Sequence, residues 1–163
     1  IVPVTSADFH SDDPLSGVEF QRDLERKAFI AGGADYNAPV QLVGDFLTNK
    51  KSTAFGLVQP TYPGTRFAEM NKILPAPIIS SVALAIKDMD KKLRGFADKN
   101  AVLTAVESRT SSPVRIERQE NLTSPFASNL YPCGEGAGYS GGITSSSADG
   151  LRVADEIAKI LSR

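Results

Sequence analysis

Residues 129–143 decide how this chain is read: Asn129-Leu130-Tyr131-Pro132-Cys133-Gly134-Glu135-Gly136-Ala137-Gly138-Tyr139-Ser140-Gly141-Gly142-Ile143. A short apolar run enters a glycine-rich turn, and the turn leads into an amphipathic helix. Six of the 13 glycines lie between Gly134 and Gly150. Glycine admits positive φ and lets a ligand approach the backbone with no Cβ in the way. A helix that begins just after such a turn aims unpaired N–H groups and its positive dipole end at an anionic or electron-rich group. The stretch therefore reads as part of a nucleotide or cofactor site.

Gly136, Gly138 and Gly141 satisfy G-x-G-x-x-G, yet the dinucleotide fingerprint asks for more. It needs a βαβ unit of about thirty residues and an acidic residue roughly twenty positions on to bind a ribose. In a chain of 163 residues only 22 follow Gly141. Ile143, Leu151, Ala154, Ile157, Ala158 and Leu161 recur mostly at three or four, which makes those residues one helix with an apolar stripe. No second strand follows.

A family resemblance fits better. Tyr131–Tyr139, Gly141-Gly142-Ile143, Ala148-Asp149-Gly150 and Val153-Ala154 resemble the C-terminus of FAD-dependent dehydrogenases, the group described as NAD(FAD)-utilising. The likeness extends to Glu107–Ile116, Ile73-Leu74-Pro75 and Gly44-Asp45-Phe46-Leu47. It implies FAD held by two distant segments, an N-terminal G-x-G-x-x-G for the pyrophosphate and a C-terminal strand–Gly-acid–helix for the ribityl chain and flavin. On that resemblance Gly134 and Glu135 form the Gly-acid pair, with Glu135 accepting a hydrogen bond from a ribityl hydroxyl. The wider class commonly has Asp there. Gly141, Gly142 and Ile143 would present backbone N–H groups to the flavin N1/C2=O edge. The alternative is a plain glycine turn with a solvated glutamate.

The N-terminal fingerprint has no counterpart, since Gly32-Gly33, Gly56, Gly64 and Gly95 are too isolated. The expectation is a C-terminal piece of a longer flavoprotein, inactive and weak in FAD binding when alone. Its fold class is then α+β or α/β. Residues 1–128 form a mostly helical cap or substrate region with a β-hairpin. Residues 129–163 supply the strand–Gly-turn–helix of an FAD-binding Rossmann-like domain. The implied cofactor is FAD, with NAD(P)H as a candidate electron donor. The implied partners are a small-molecule substrate and the rest of the flavoprotein's own chain.

Composition sets the outer bounds. Hydrophobic content of 41% and charged content of 23% are those of an ordinary folded domain. No apolar run approaches the roughly 20 residues that span a bilayer. A net charge of −1 offers no general attraction to nucleic acid or anionic lipid. With one cysteine and one histidine, neither an intramolecular disulfide nor a His/Cys zinc site is expected, and no metal is assigned. These features fit a cytoplasmic protein.

The elements follow from local signals. Ser11-Asp12-Asp13-Pro14 reads as a turn. Ser16 and Glu19 have capping-box spacing for a helix that runs to about Ala31, where Gly32-Gly33 stops it. A shorter helix is expected over Pro39–Thr48, then a long irregular connection over 52–76. The clearest helix runs from Pro77 to about Phe96, with Ile79, Val82, Ile86, Met89, Leu93 and Phe96 as its seam. Ala101–Glu107 and Val114–Arg118 read as strands joined in a hairpin across Ser108–Pro113.

Arg109 is the candidate catalytic, substrate-side residue. Its guanidinium is a fixed fork of donors for a carboxylate or phosphate, among the hydroxyls of Ser108, Thr110, Ser111 and Ser112. A merely polar hairpin is the competing account. Cys133 has no C-x-x-C partner and reads as a buried, inert thiol. His10 reads as structural or solvent-exposed, and Tyr139 and Tyr62 as packing residues or flavin-stacking rings. The main functional reading is thus part of an FAD-dependent oxidoreductase. The alternative is a non-enzymatic module whose helix start binds an anion or a partner. The lack of a basic stripe argues against a tRNA-modifying variant.

Overall fold

A computed structural model describes residues 1–8 and 12–162; His10 and Ser11 lie outside the described residues. The chain forms two compact units, one of residues 1–8 and 20–108, the other of residues 9–19 and 109–163. Among the described residues the elements are four α-helices, two 3-10 turns and a three-stranded sheet, the expected mixture of α and β.

Helix α1, Ser16–Ala31, starts one residue earlier than the capping-box spacing suggests. Asp13 organises its entry: its carboxylate accepts the Leu15 N–H at 2.8 Å and its carbonyl the Ser16 N–H at 3.0 Å. Ser16 is therefore the first helical residue and not the cap. The helix ends as expected. Gly33, at φ +100°, donates to Ile30 O, and Ala34 N donates to Phe29 O, the paired bonds of a left-handed helix stop.

The expected helix over Pro39–Thr48 is instead strand β1, Ala38–Leu42, followed by the five-residue helix α2, Val43–Leu47. Tertiary pairing overrides local propensity here. β1 is the central strand. It pairs in parallel with β2 (Thr65–Phe67) and antiparallel with β3 (Val102–Thr104). Its side chains justify the placement. Val40 is fully buried, and the buried Gln41 donates to Lys50 O at 2.7 Å while accepting Met70 N–H at 2.8 Å. The long connection contains β2 and a 3-10 turn at Met70–Lys72, so it is less irregular than expected.

Helix α3 spans Ala76–Lys92 and stops short of Phe96. The Asp90 carboxylate accepts the N–H groups of Gly95 and Ala97, both at 2.9 Å, and folds the chain back. Of the expected seam, Ile79, Val82 and Ile86 join a core with Ala28, Val43, Phe46, Met70 and Ile73. Met89, Leu93 and Phe96 remain exposed.

The hairpin does not form. β3 takes β1 as its partner, and residues 114–118 belong to the second unit, where Ile116 N donates to Ala137 O at 3.1 Å. The expected strand over 129–133 is also absent from the assigned strands. Its backbone serves other groups, Leu130 O accepting Ser124 N–H at 2.7 Å and Pro132 O accepting an Arg118 guanidinium N–H at 2.9 Å. The final helix is present, as α4, Ile143–Leu161.

Candidate functional site

The glycine-rich turn is a closed backbone unit. Gly138 N donates to Glu135 O at 2.9 Å and Tyr139 N to Gly134 O at 3.0 Å. Gly134 and Gly138 take φ of +69° and +81°, where side chains are strained. Gly138 is constrained twice, since a Cβ would lie 2.6 Å from Val114 O and 2.9 Å from Arg115 Cα. The chain over 112–116 therefore lies directly against the turn. Ser112 Oγ also contacts it, at 3.2 Å from Gly136 O.

A buried ion pair ties this turn to α4. Arg118 and Asp149 meet through two hydrogen bonds of 3.0 and 2.9 Å, with side chains only 7% and 12% exposed. Asp149 also accepts the Gly134 N–H at 2.9 Å, so its carboxylate holds the turn and the arginine together. The Arg118 guanidinium lies 3.7 Å from the Tyr139 ring centre, and that of Arg115 lies 4.4 Å from it. Tyr139 donates its hydroxyl to Ile116 O at 2.9 Å. Arg118, and after it the Gly134 N–H, hold the Asp149 carboxyl below the usual carboxylate range. Asp149 in turn raises the Arg118 pKa.

Sequence reasoning missed this pair because it placed Arg118 in a strand and gave Asp149 no role. The signal was a second face of the final helix. Ser146, Asp149, Gly150, Val153 and Ile157 also recur at three or four, and Val153 is its buried residue, at 4% exposure.

The expected cofactor residues stand around this framework. Gly134 is buried within the turn, and the exposed Glu135 has a carboxylate with no hydrogen-bond partner among the described residues. Gly142 is the N-cap of α4 at φ −159°, extended backbone open to any residue, and it supplies no side-chain cap. Ser145 Oγ donates to Gly142 O at 3.0 Å, and Ser140 and Ser146 hydroxyls meet at 2.7 Å. A methyl group on Gly141 would lie 3.5 Å from Ser111 Oγ, which brings the 109–115 segment to the start of α4. Arg109 is exposed at the beginning of that segment, and the Ile143 side chain is 90% exposed.

Two packing expectations fail or change. Cys133 is exposed, because the run around it is not a buried strand. The Tyr139 ring is engaged by two guanidiniums. In the first unit Tyr62 is exposed, and an open apolar groove is lined by Val43, Ile86, Leu93, Phe96 and Leu103 together with Arg94. Among the described residues no cluster of His, Cys, Asp and Glu could hold a metal, and no helix is long and apolar enough to cross a membrane.

An unengaged carboxylate can accept from a hydroxyl, and an uncapped helix start offers N–H donors to an electron-rich edge. Residues 1–110 match the family described as FAD-dependent protein, C-terminal domain-like, and the chain belongs to that family. An uncharacterized protein from Clostridium beijerinckii (strain ATCC 51743 / NCIMB 8052) is 46% identical over 158 residues. That match covers 96% of this chain but only 30% of the relative, so the chain spans less than a third of the relative's length.

Proposed function

We propose that this chain is the C-terminal region of an FAD-dependent oxidoreductase, with residues 129–163 completing the flavin site of a Rossmann-like domain in the full-length protein. Family membership carries the FAD dependence, because the family matched over residues 1–110 is described by it; residues 129–163 lie outside that match and enter on their own chemistry. The glycine turn adds a site of fitting chemistry. When bound, FAD supplies hydride or two-electron transfer; the protein positions it and sets the charge around it.

This chain's residues then have specific tasks. Glu135 would accept a hydrogen bond from a ribityl hydroxyl. Gly134 gives the turn its left-handed conformation, and the Arg118–Asp149 pair holds it against α4. Gly141, Gly142 and Ile143 would offer backbone N–H donors to the flavin's pyrimidine edge, where the helix dipole would favour negative charge. Arg109 orients an anionic group of the substrate. In this reading the enzyme is a cytoplasmic dehydrogenase with a reduced nicotinamide as its electron donor.

The test uses the full-length protein. Purification should yield a yellow protein that releases FAD on denaturation, and Glu135→Ala should lower FAD occupancy while circular dichroism stays unchanged. Arg109→Lys should retain flavin but slow flavin reduction or turnover, because lysine lacks the bidentate fork. A colourless protein that FAD cannot reconstitute rejects the proposal. Full occupancy in Glu135→Ala removes that residue from the site.

A further inference from the structure

The apolar groove of the first unit has a lining that points to a class of ligand. It encloses about 500 Å³, a volume within the range of small-molecule sites. The buried Val43 and Ile86 form its floor, and Leu93, Phe96 and Leu103 stand around it. Leu93 is 59% and Phe96 44% exposed, so apolar side chains that could cover a ligand are left in water. The space beside Gly95 is open, since a Cβ there would meet nothing within 4 Å. One lining residue is charged, Arg94.

Arg94 makes no hydrogen bond or ion pair among the described residues. The carboxylates near it in sequence are engaged elsewhere. Asp90 stands four residues before it, the spacing of a helical ion pair, but accepts the N–H groups of Gly95 and Ala97 instead. Those two bonds fix the turn that carries Arg94 and Phe96. Asp88 pairs with Lys91 and Lys92, and Asp98 accepts the backbone and side-chain N–H groups of Asn100. The two lysines lie in the last turn of α3, where they offset the negative end of the helix. A cation thus stands at an apolar groove with no counter-ion among the described residues.

We propose that the groove binds an amphipathic monoanion, a carboxylate on an unbranched hydrocarbon chain, with the chain along the apolar lining and the carboxylate on Arg94. Charge complementarity selects this occupant. A guanidinium is a weakly hydrated fork that matches a carboxylate and tolerates apolar neighbours. A neutral hydrocarbon would take water from Arg94 without giving it a partner. A peptide added as a strand would gain little main-chain bonding, because the edge strand β3 has three residues. The proposal does not rest on the flavin reading, since every lining residue belongs to the first unit.

Equilibrium dialysis of radiolabelled decanoate against the full-length protein tests it, with unlabelled octanoate, nonanoate and nonan-1-ol as competitors. One site per chain is expected, and each methylene should tighten binding by about twofold, as for a half-buried CH₂. Arg94→Gln should weaken decanoate by about tenfold, the loss of a charge-assisted bond, and leave nonan-1-ol unchanged. Arg94→Lys should keep part of the preference for the acid over the alcohol. Leu93→Glu, which sets a carboxylate in the lining, should weaken decanoate at least as much as Arg94→Gln does. Leu93 and Arg94 are both exposed, so the variants should keep the circular dichroism of the parent. No binding at about 1 mM decanoate, the result of a groove filled by another part of the protein, overturns the proposal. So does binding that neither Arg94→Gln nor Leu93→Glu alters, or nonan-1-ol competing as well as nonanoate.

Discussion

Residues 20–108 bury Leu24, Val40, Val43, Phe46, Met70, Ile73 and Ile86 around their sheet, whereas residues 109–162 bury, among apolar side chains, Leu122, Pro132, Ala137 and Val153. The second unit draws its order from directed polar contacts, with Arg118, Asp149, Gly134, Pro132 and Tyr139 in one network. The difference concerns tolerance. An apolar core accepts changes that keep its volume and pattern. A buried ion pair fails when one member is removed, because the other is left charged and unpaired. The glycine turn thus stands on the less forgiving of the two constructions.

The largest expected effect follows directly. Arg118→Ala should destabilise the second unit by about 3–5 kcal/mol, the usual result of stranding a buried charge. Hydrogen exchange in the full-length protein should show α4 and residues 114–139 losing protection while β1 and α3 keep theirs. Uniform loss across both units would erase the contrast.

Acid should attack the same place. The Asp149 carboxyl is held low in the folded state, so the stability that it adds is complete above the ordinary aspartate value of about 3.9. That contribution is lost as the pH falls through the lower folded value. Exchange protection at Gly134 and along α4 should therefore decline below about pH 4 and stay flat, as far as this group governs it, from about pH 5 to 8. A decline already complete at about pH 5 would contradict the pair's role.

Legibility divides along the same line. α1, α3 and α4 were readable because each carries several turns of helical period, and Gly32-Gly33 marked the end of α1. β1 was not, because its five residues form a strand only by pairing with β2 and β3, segments distant in sequence. In the glycine turn the residue types announced a special backbone, but not which glycines bear it. Gly134 and Gly138 do, whereas Gly142 is extended. The polar network was invisible because an arginine in an alternating run and an aspartate on a helix carry no local mark of pairing.

A smaller effect tests the turn. Gly138→Ala introduces a Cβ at φ +81°, within 2.6 Å of Val114 O, a backbone atom that cannot swing aside. A cost of about 1–3 kcal/mol is expected from such strain, visible as a lower melting temperature for the second unit. Gly134→Ala shares the positive φ, but its nearest contact would be a comfortable 3.8 Å, so it should cost less. Reversal of that order would mean that the close approach of residues 114–115 is wrong.

Ile73→Val sets the scale for the first unit. Ile73 is fully buried, and deleting one methylene there should cost about 0.5–1.5 kcal/mol, with the sheet intact. Chemical denaturation of this variant beside Arg118→Ala compares the two constructions directly. A loss as large as that of the arginine variant would show the apolar core to be the more brittle one.

The smallest expected change in stability is at Gly142, and for that reason it isolates the proposed cofactor contact. Its φ of −159° suits any residue, and an added Cβ would meet only Ser145 Oγ, at an ordinary 3.6 Å. Serine is among the preferred N-caps and glycine is close behind, so Gly142→Ser should leave α4 unchanged to within a few tenths of a kcal/mol. If Gly142 lies where backbone and flavin approach closely, the same hydroxymethyl group intrudes on the ring, and FAD occupancy of the full-length protein should fall with no change in melting temperature. Measuring both on one preparation separates the two effects. An unaltered occupancy and reduction potential would take Gly142 out of the flavin site and leave it as the cap of a helix.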